Sequence, residues 1–220
     1  MSPPVETTEF RRPAPLYVAL ACAAAVVALV IWRTRPPPAR AANAAPEVFS
    51  AVRARNELRL VLDGAPHPTG SSENRRVAER LEERLRALGL EVERRETPVC
   101  SRYAACARVL NLLAKPPGQS GPFLLLSAHH DSVPVGAGVA DDGMGIATLL
   151  EVARALALRP GPLSVLLLFT DGEEAGLLGA EAFVREDAAR FPIAAMINVE
   201  ARGTEGASLL FETTVASRSL

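Results

Sequence analysis

The chain has 220 residues, 49% of them hydrophobic, and its 24 basic and 25 acidic side chains leave a formal charge of -1. That size and apolar content suit one globular domain with an appendage. Arg and Glu interleave along helical faces, so no basic field exists to draw a phosphate backbone, and no nucleic acid is expected as a partner.

Residues 1–14 are an N-terminal tail. The run 15–32, PLYVALACAAAVVALVIW, carries no charge and lies between Arg11-Arg12 and Arg33. As a helix it would reach about 27 Å, close to a hydrocarbon core of about 30 Å, and it reads as a single-pass membrane anchor for an exported domain. A cleaved secretory signal is the rival reading, because Ala42-Asn43-Ala44 forms an A-x-A site. Arginines on both flanks leave the orientation open. Pro36-Pro37-Pro38 and the Ala-rich stretch to Pro46 cannot pack a core, so 33–46 reads as an extended linker and 47–220 as the folded domain.

Within that domain the spacing predicts a helix from Glu47 to Leu62, then the turn-rich stretch 64–72. A second helix runs to about Leu88, with Val77, Leu81, Leu85 and Leu88 on one stripe, Ser71 or Ser72 at its start and Gly89 at its end. Strands are expected at 90–94, 109–114, 123–127, 163–170, 194–199 and 208–212. FLLLSA and LSVLLLF are continuous apolar runs, which suit strands covered on both faces. Between them Ile146, Leu149, Leu150, Ala153 and Ala157 mark a helix ending before Pro160, completing a strand, helix, strand unit. The fold class is α/β, a mostly parallel mixed sheet sandwiched between helices, and no internal repeat is present. Cys22 lies in the apolar run. Cys100 and Cys106 form no CxxC or Cys/His ligand pattern; they either close a small disulfide or stand as two thiols.

In open α/β sheets, ligands collect beyond the carboxyl ends of the strands. The residues at those positions are nearly all metal-ligand types: His129-His130-Asp131, Asp141-Asp142, Asp171-Gly-Glu173-Glu174 and Glu200. Carboxylates crowded at one end of a sheet repel one another unless a cation holds them ionised. Imidazole beside oxygen donors favours zinc or a similar borderline ion over calcium or magnesium. Taken singly, each motif has a plain structural reading as loop histidine, Asp-Gly turn or helix start. It is their common placement after strands of one unit that points to a metal site.

Together, S-A-H129-H-D131-S, A-D141-D142-G, D-G-E173-E174-A-G-L-L-G and I-N-V-E200 resemble the co-catalytic zinc aminopeptidases related to bacterial aminopeptidase S. Glu at 200, where most of these carry Asp, is similar to the endoplasmic reticulum metallopeptidase and vacuolar membrane protease branch, which is also membrane-bound. The resemblance runs from about residue 47 to the end and includes the PHPTGS turn. It implies Zn2+, two ions in a complete site: His129 and Glu200 on the first, Asp141 bridging, and Glu174 on the second. It also implies that Asp131 orients the His129 ring and that Glu173 is the general base. A cis peptide between Asp141 and Asp142 belongs to the same pattern, while His130 and Asp142 gain no role.

The family supplies one more histidine to the second zinc from a downstream loop, and no histidine follows His130 here. The resemblance therefore leads us to expect a carboxyl-terminally truncated form of the fold, with only Asp141 and Glu174 for the second zinc. Peptides are the implied substrates, and aminopeptidase chemistry is the leading expectation. Glutaminyl cyclase or carboxypeptidase chemistry on the same architecture, or a peptidase-like ectodomain that binds without hydrolysis, are the alternatives. Gly136-Ala-Gly138-Val-Ala-Asp141 lacks the third glycine of a dinucleotide loop, and no HExxH, Walker loop or serine elbow occurs.

Overall fold

A computed structural model describes residues 14–101, 104–159, 161–201, 203 and 209–213. Two compact units result, one being Ala39–Thr204 and the other taking in the N-terminal helix. That helix, α1 (Ala14–Thr34), is 21 residues long and buries none of them. At 1.5 Å per residue it extends about 31 Å, and apolar side chains such as Leu16, Val27 and Ile31 point outward all round it. By length and composition it can cross a membrane.

The domain runs α2 (Ala51–Val61), α3 (Ser72–Ala87), β1 (Glu91–Cys100), β2 (Cys106–Lys115), β3 (Phe123–His129), α4 (Gly143–Leu158), β4 (Ser164–Thr170), α5 (Leu178–Glu186) and β5 (Ile193–Asn198). The five strands lie in the order β1-β2-β4-β3-β5. β3 is parallel to both β4 and β5, so Leu126 faces Leu167 on one side and Ile197 on the other. β2 is antiparallel to β1 and to β4, which lays a hairpin against the edge of the parallel trio.

Strand periodicity divides the apolar runs between two layers. Val165, Leu167 and Phe169 of β4 join Leu126 and Ala128 of β3 under α2, α3 and α4, meeting Val61, Leu81, Leu85, Ile146 and Leu150. Leu166 and Leu168 turn the other way, with Leu125 and Phe123, toward Phe183 of α5. Continuous apolar strands are thus explained by burial on both faces.

The helices start where hydroxyl or carboxylate caps allow. Ser50 Oγ accepts from the Arg53 N–H at the head of α2, and Ser71 Oγ from the Asn74 N–H at the head of α3. Gly89, at φ +80°, closes α3 in the left-handed region that glycine favours. Helix α5 was not foreseen: it is short and starts from Leu177 with no side-chain cap, so no sequence signal marks it. β1 continues to Cys100, well past the expected 94, because an edge strand mixing Glu and Arg with few apolar residues lacks a clear alternation. The expected strand 208–212 does not form in its described part: Leu209–Glu212 carry no strand, and Ser208 lies outside the described residues. Cys100 and Cys106 are register partners in the hairpin and are joined by a disulfide, which settles the open alternative.

The Ala-rich segment read as spacer is held to the domain by buried charge. Glu151 of α4 is 1% exposed. Its Oε1 accepts from Ser50 N–H at 2.9 Å and Arg53 Nε at 3.0 Å, and its Oε2 from Arg154 Nε at 2.7 Å. Arg53 Nη1 then donates to the carbonyls of Ala42 and Ala44, and Arg154 Nη1 to that of Pro46. Removing a buried partner strands the other charges. Glu151→Ala is therefore expected to lower stability by about 2–3 kcal/mol and to speed elastase cleavage within 39–48. An unchanged urea midpoint and an unchanged cleavage rate would contradict the clasp.

Candidate metal centre

The parallel trio brings three strand ends to one side of the sheet, and the candidate residues follow from them. His129 closes β3, Asp171 follows β4, and Glu200 comes two residues after β5. Asp141 arrives from the loop between β3 and α4, joined to Asp142 by a cis peptide. Asp142 has the position that sequence reasoning left blank. Its Oδ1 caps α4 by accepting from Gly145 N–H at 2.9 Å, and its Oδ2 accepts from His129 N–H at 3.2 Å. A Cβ at Gly145 would come within 2.3 Å of that carboxylate, which accounts for glycine there.

His129 Nε2 lies 2.9 Å from Asp141 Oδ1 and 3.8 Å from Glu200 Oε1. One donor atom from each of these three residues falls within 4.8 Å of the others, close enough to share one ion. His129 is 2% exposed, while Asp141 and Glu200 open toward solvent. On the far side of the ring, Nδ1 sits 3.1 Å from the Asp131 carbonyl oxygen and 3.4 Å from Asp131 Oδ1. Backbone and carboxylate of Asp131 therefore both hold the ring, the backbone more closely.

Asp131 does more than face the histidine. Its Oδ1 accepts from Glu173 N–H at 3.0 Å and its Oδ2 from Glu174 N–H at 3.1 Å, fixing the peptide that bears both glutamates. Glu173 borders an open, largely apolar groove of about 430 Å³, together with His129, Glu200, Leu177, Phe183 and Met196.

The electrostatics describe a site short of positive charge. Burial alone would lower the His129 pKa; hydrogen bonds to Asp131 and Glu200, with the charge of Asp142, overcome it and hold the ring up to about 12. Burial pushes the Asp142 carboxyl up to about 8, opposed by the nearby imidazolium. Glu173 is raised by burial and then by the negative charges of Glu200, Glu174 and Asp131. Glu174 is raised by burial and by Asp141. Glu200 is lowered by its hydrogen bond to His129. One imidazole nitrogen amid carboxylate oxygens is a donor set that fits a borderline cation such as zinc, whose charge would replace the ring proton.

Several supporting residues escaped the sequence reading. His130 is 1% exposed, and both of its ring nitrogens are engaged away from the ion-binding atoms. Its Nε2 meets the Leu110 carbonyl at 2.8 Å and its Nδ1 the Asn74 amide at 3.4 Å. Asn74 also donates to Asp171 Oδ1 at 3.2 Å, while Asp171 Oδ2 accepts from Leu110 N–H at 3.0 Å. This buried polar network bolts α3 to β2 and to the ends of β3 and β4. Thr69 donates to Asp131 Oδ2 at 3.2 Å, and His67 exchanges hydrogen bonds with Ser132. The PHPTGS turn was the visible signal for these last two, but a turn motif does not announce which strand end it meets.

Residues 111–220, half of the chain, match the family model of peptidase family M28. The chain belongs to that family. A vacuolar membrane protease of Candida albicans (strain WO-1) is 37% identical over 157 residues, covering 68% of this chain and 18% of its own length. The vacuolar membrane protease of Yarrowia lipolytica is 45% identical over 108 residues, covering 48% of this chain and 11% of its own. The chain thus spans less than a fifth of the length of these relatives. Among solved structures, Porphyromonas gingivalis glutaminyl cyclase aligns with a TM-score of 0.62 at 24% identity, over 70% of this chain and 59% of that one. A Zn-dependent exopeptidase from Parabacteroides distasonis aligns with a TM-score of 0.60 at 18% identity, over 73% and 64%. At those identities the two structures establish a shared fold for the M28 chain.

The buried network makes a stability prediction. Asn74→Ala leaves His130 Nδ1 and Asp171 Oδ1 without their amide partner, and is expected to lower the free energy of unfolding by about 2–3 kcal/mol in urea. A loss below roughly 0.5 kcal/mol, the size of an ordinary surface substitution, would contradict the network.

Proposed function

We propose that this chain is the metal-binding catalytic part of a membrane-anchored zinc exopeptidase that removes amino-terminal residues from peptides. The observation that carries the reading is the convergence of His129, Asp141 and Glu200 donor atoms within 4.8 Å, with half-buried Glu173 bordering the same opening. His129, Asp141 and Glu200 would hold one zinc, and Asp141 would bridge to a second that Glu174 ligates. Zinc held there would polarise the scissile carbonyl and lower the pKa of the attacking water to about 7.

The chain's own residues do the rest. Glu173, kept basic by burial and by neighbouring negative charge, accepts the water's proton and returns it to the leaving amine. Asp131 holds the His129 ring on one side and the Glu173–Glu174 peptide on the other, which limits how far base and ligands can drift apart. The exposed apolar helix α1 supports a single-pass anchor, and the domain on the exported side is part of the same proposal. The vacuolar membrane proteases named above support the membrane setting.

Three measurements bear on this reading. The purified full chain in detergent is expected to bind zinc and to release amino-terminal residues from peptides. Glu173→Gln should keep the zinc and lose about 10²–10⁴ in kcat; unimpaired turnover by that variant would refute the assignment of the base. A cyclised product from peptides beginning with Gln, with no free amino acid released, would move the reaction to glutaminyl cyclisation. The pH dependence of binding has a definite sign: His129 is raised to about 12 and so is protonated at neutral pH without the ion. Binding must displace that proton, so apparent zinc affinity should rise about tenfold per pH unit in competition titrations with a chelator. An affinity independent of pH would contradict a protonated His129 in the ion-free chain.

A further inference from the structure

We propose that Thr69 is a positioning residue of this site, acting through Asp131 to fix the peptide that carries Glu173 and Glu174. The inference rests on the reading of those glutamates as base and ligand, but its geometry stands separately. Asp131 is 1% exposed. Its two oxygens serve donors from three segments: Glu173 N–H at 3.0 Å and Glu174 N–H at 3.1 Å after β4, the His129 ring at 3.4 Å, and the Thr69 hydroxyl at 3.2 Å. The glutamates themselves belong to no helix or strand, lying between Gly172 at φ +74° and Leu177 at φ +62°, and α5 begins only at Leu178. The N–H groups that aim them are therefore held by a side chain, and that side chain must itself be held.

Thr69 suits this task because its turn does not move freely against β3. The His67 N–H donates to Ser132 Oγ at 2.8 Å, and the Ser132 N–H returns to the His67 carbonyl at 3.2 Å. Two residues beyond Thr69, Ser71 caps α3, and its own N–H bonds to the Pro68 carbonyl. The hydroxyl is thus presented from a stretch pinned at both ends. It is the second donor to Oδ2, beside the Glu174 N–H, and so adds a restraint on the carboxylate from a different segment. Without it, Asp131 keeps its charge, its contact with the histidine and both N–H bonds from Glu173 and Glu174, but Oδ2 loses one of its two donors and the carboxylate is held less tightly.

Thr69→Val preserves the shape and deletes the donor, and Thr69→Ser restores the donor. In the zinc-free full chain, hydrogen exchange of the segment containing Glu173 and Glu174 is expected to quicken at least tenfold in Thr69→Val and to return toward normal in Thr69→Ser, with exchange in α3 and β2 unchanged. In the zinc-loaded chain, kcat should fall roughly 10–100-fold with little change in KM, and serine should recover most of it. Exchange and kcat both unchanged in Thr69→Val would overturn the proposal. So would faster exchange spread evenly over the domain, because that describes a merely stabilising contact. If the unsubstituted chain binds zinc but releases no amino acid, the peptidase reading fails, and the exchange comparison still decides the role of Thr69.

Discussion

Negative charges pinned together at one end of a sheet need a positive charge among them, and the rest of this structure is arranged around that need. The parallel trio β3, β4 and β5 delivers its carboxyl ends to a single side, and Asp131, Asp141, Glu173, Glu174 and Glu200 follow from those ends and loops. Without a cation, the imidazole of His129 takes up the charge and is driven far above the ordinary histidine range. A side chain 2% exposed would normally shed its proton. Its hydrogen bonds to Asp131 and Glu200 outweigh that burial, so the surroundings favour positive charge at this point. Donor chemistry, geometry and electrostatics agree on what belongs there.

The supporting frame is built in layers from the site outward. Asp142 ties the start of α4 to the end of β3, and Asp131 ties that same end to the segment after β4. Behind them His130, Asn74 and Asp171 form a buried polar network with nearly every hydrogen-bonding atom engaged, which ordinary apolar packing could not aim so narrowly. Its side chains are themselves buried, so leaving one of their polar atoms unpaired is costly. The polar layer and the candidate site share segments: His130 follows His129, and Asp171 precedes Glu173 and Glu174.

Much of this was readable in the linear sequence, and the reasons are physical. FLLLSA and LSVLLLF became β3 and β4, because strands buried on two faces leave an unmistakable apolar run. Ligand-type residues stand beyond the strand ends and in the loop after β3, and the family resemblance implied His129, Asp141 and Glu200 among them as one ligand set; the three do come together. What escaped lacks a local signature. α5 has no cap, and β1 is a charged edge strand. The partners of Asp131 and His130 come from a turn and a helix some sixty residues earlier in the chain. The clasp of Glu151 on the Ala-rich stretch escaped for the same reason, since about one hundred residues separate the two. Composition reports what a segment can bury by itself, not that a glutamate from a distant helix will aim the arginines that hold its carbonyls.

The central claim is that His129, with carboxylates and no sulfur, forms the ion site. X-ray absorption at the zinc edge of the zinc-loaded full chain tests it directly. Only nitrogen and oxygen neighbours are expected, at about 2.0–2.2 Å, with the outer-shell pattern of a single imidazole that disappears in His129→Ala. Sulfur neighbours at about 2.3 Å, or a spectrum indifferent to His129→Ala, would contradict it.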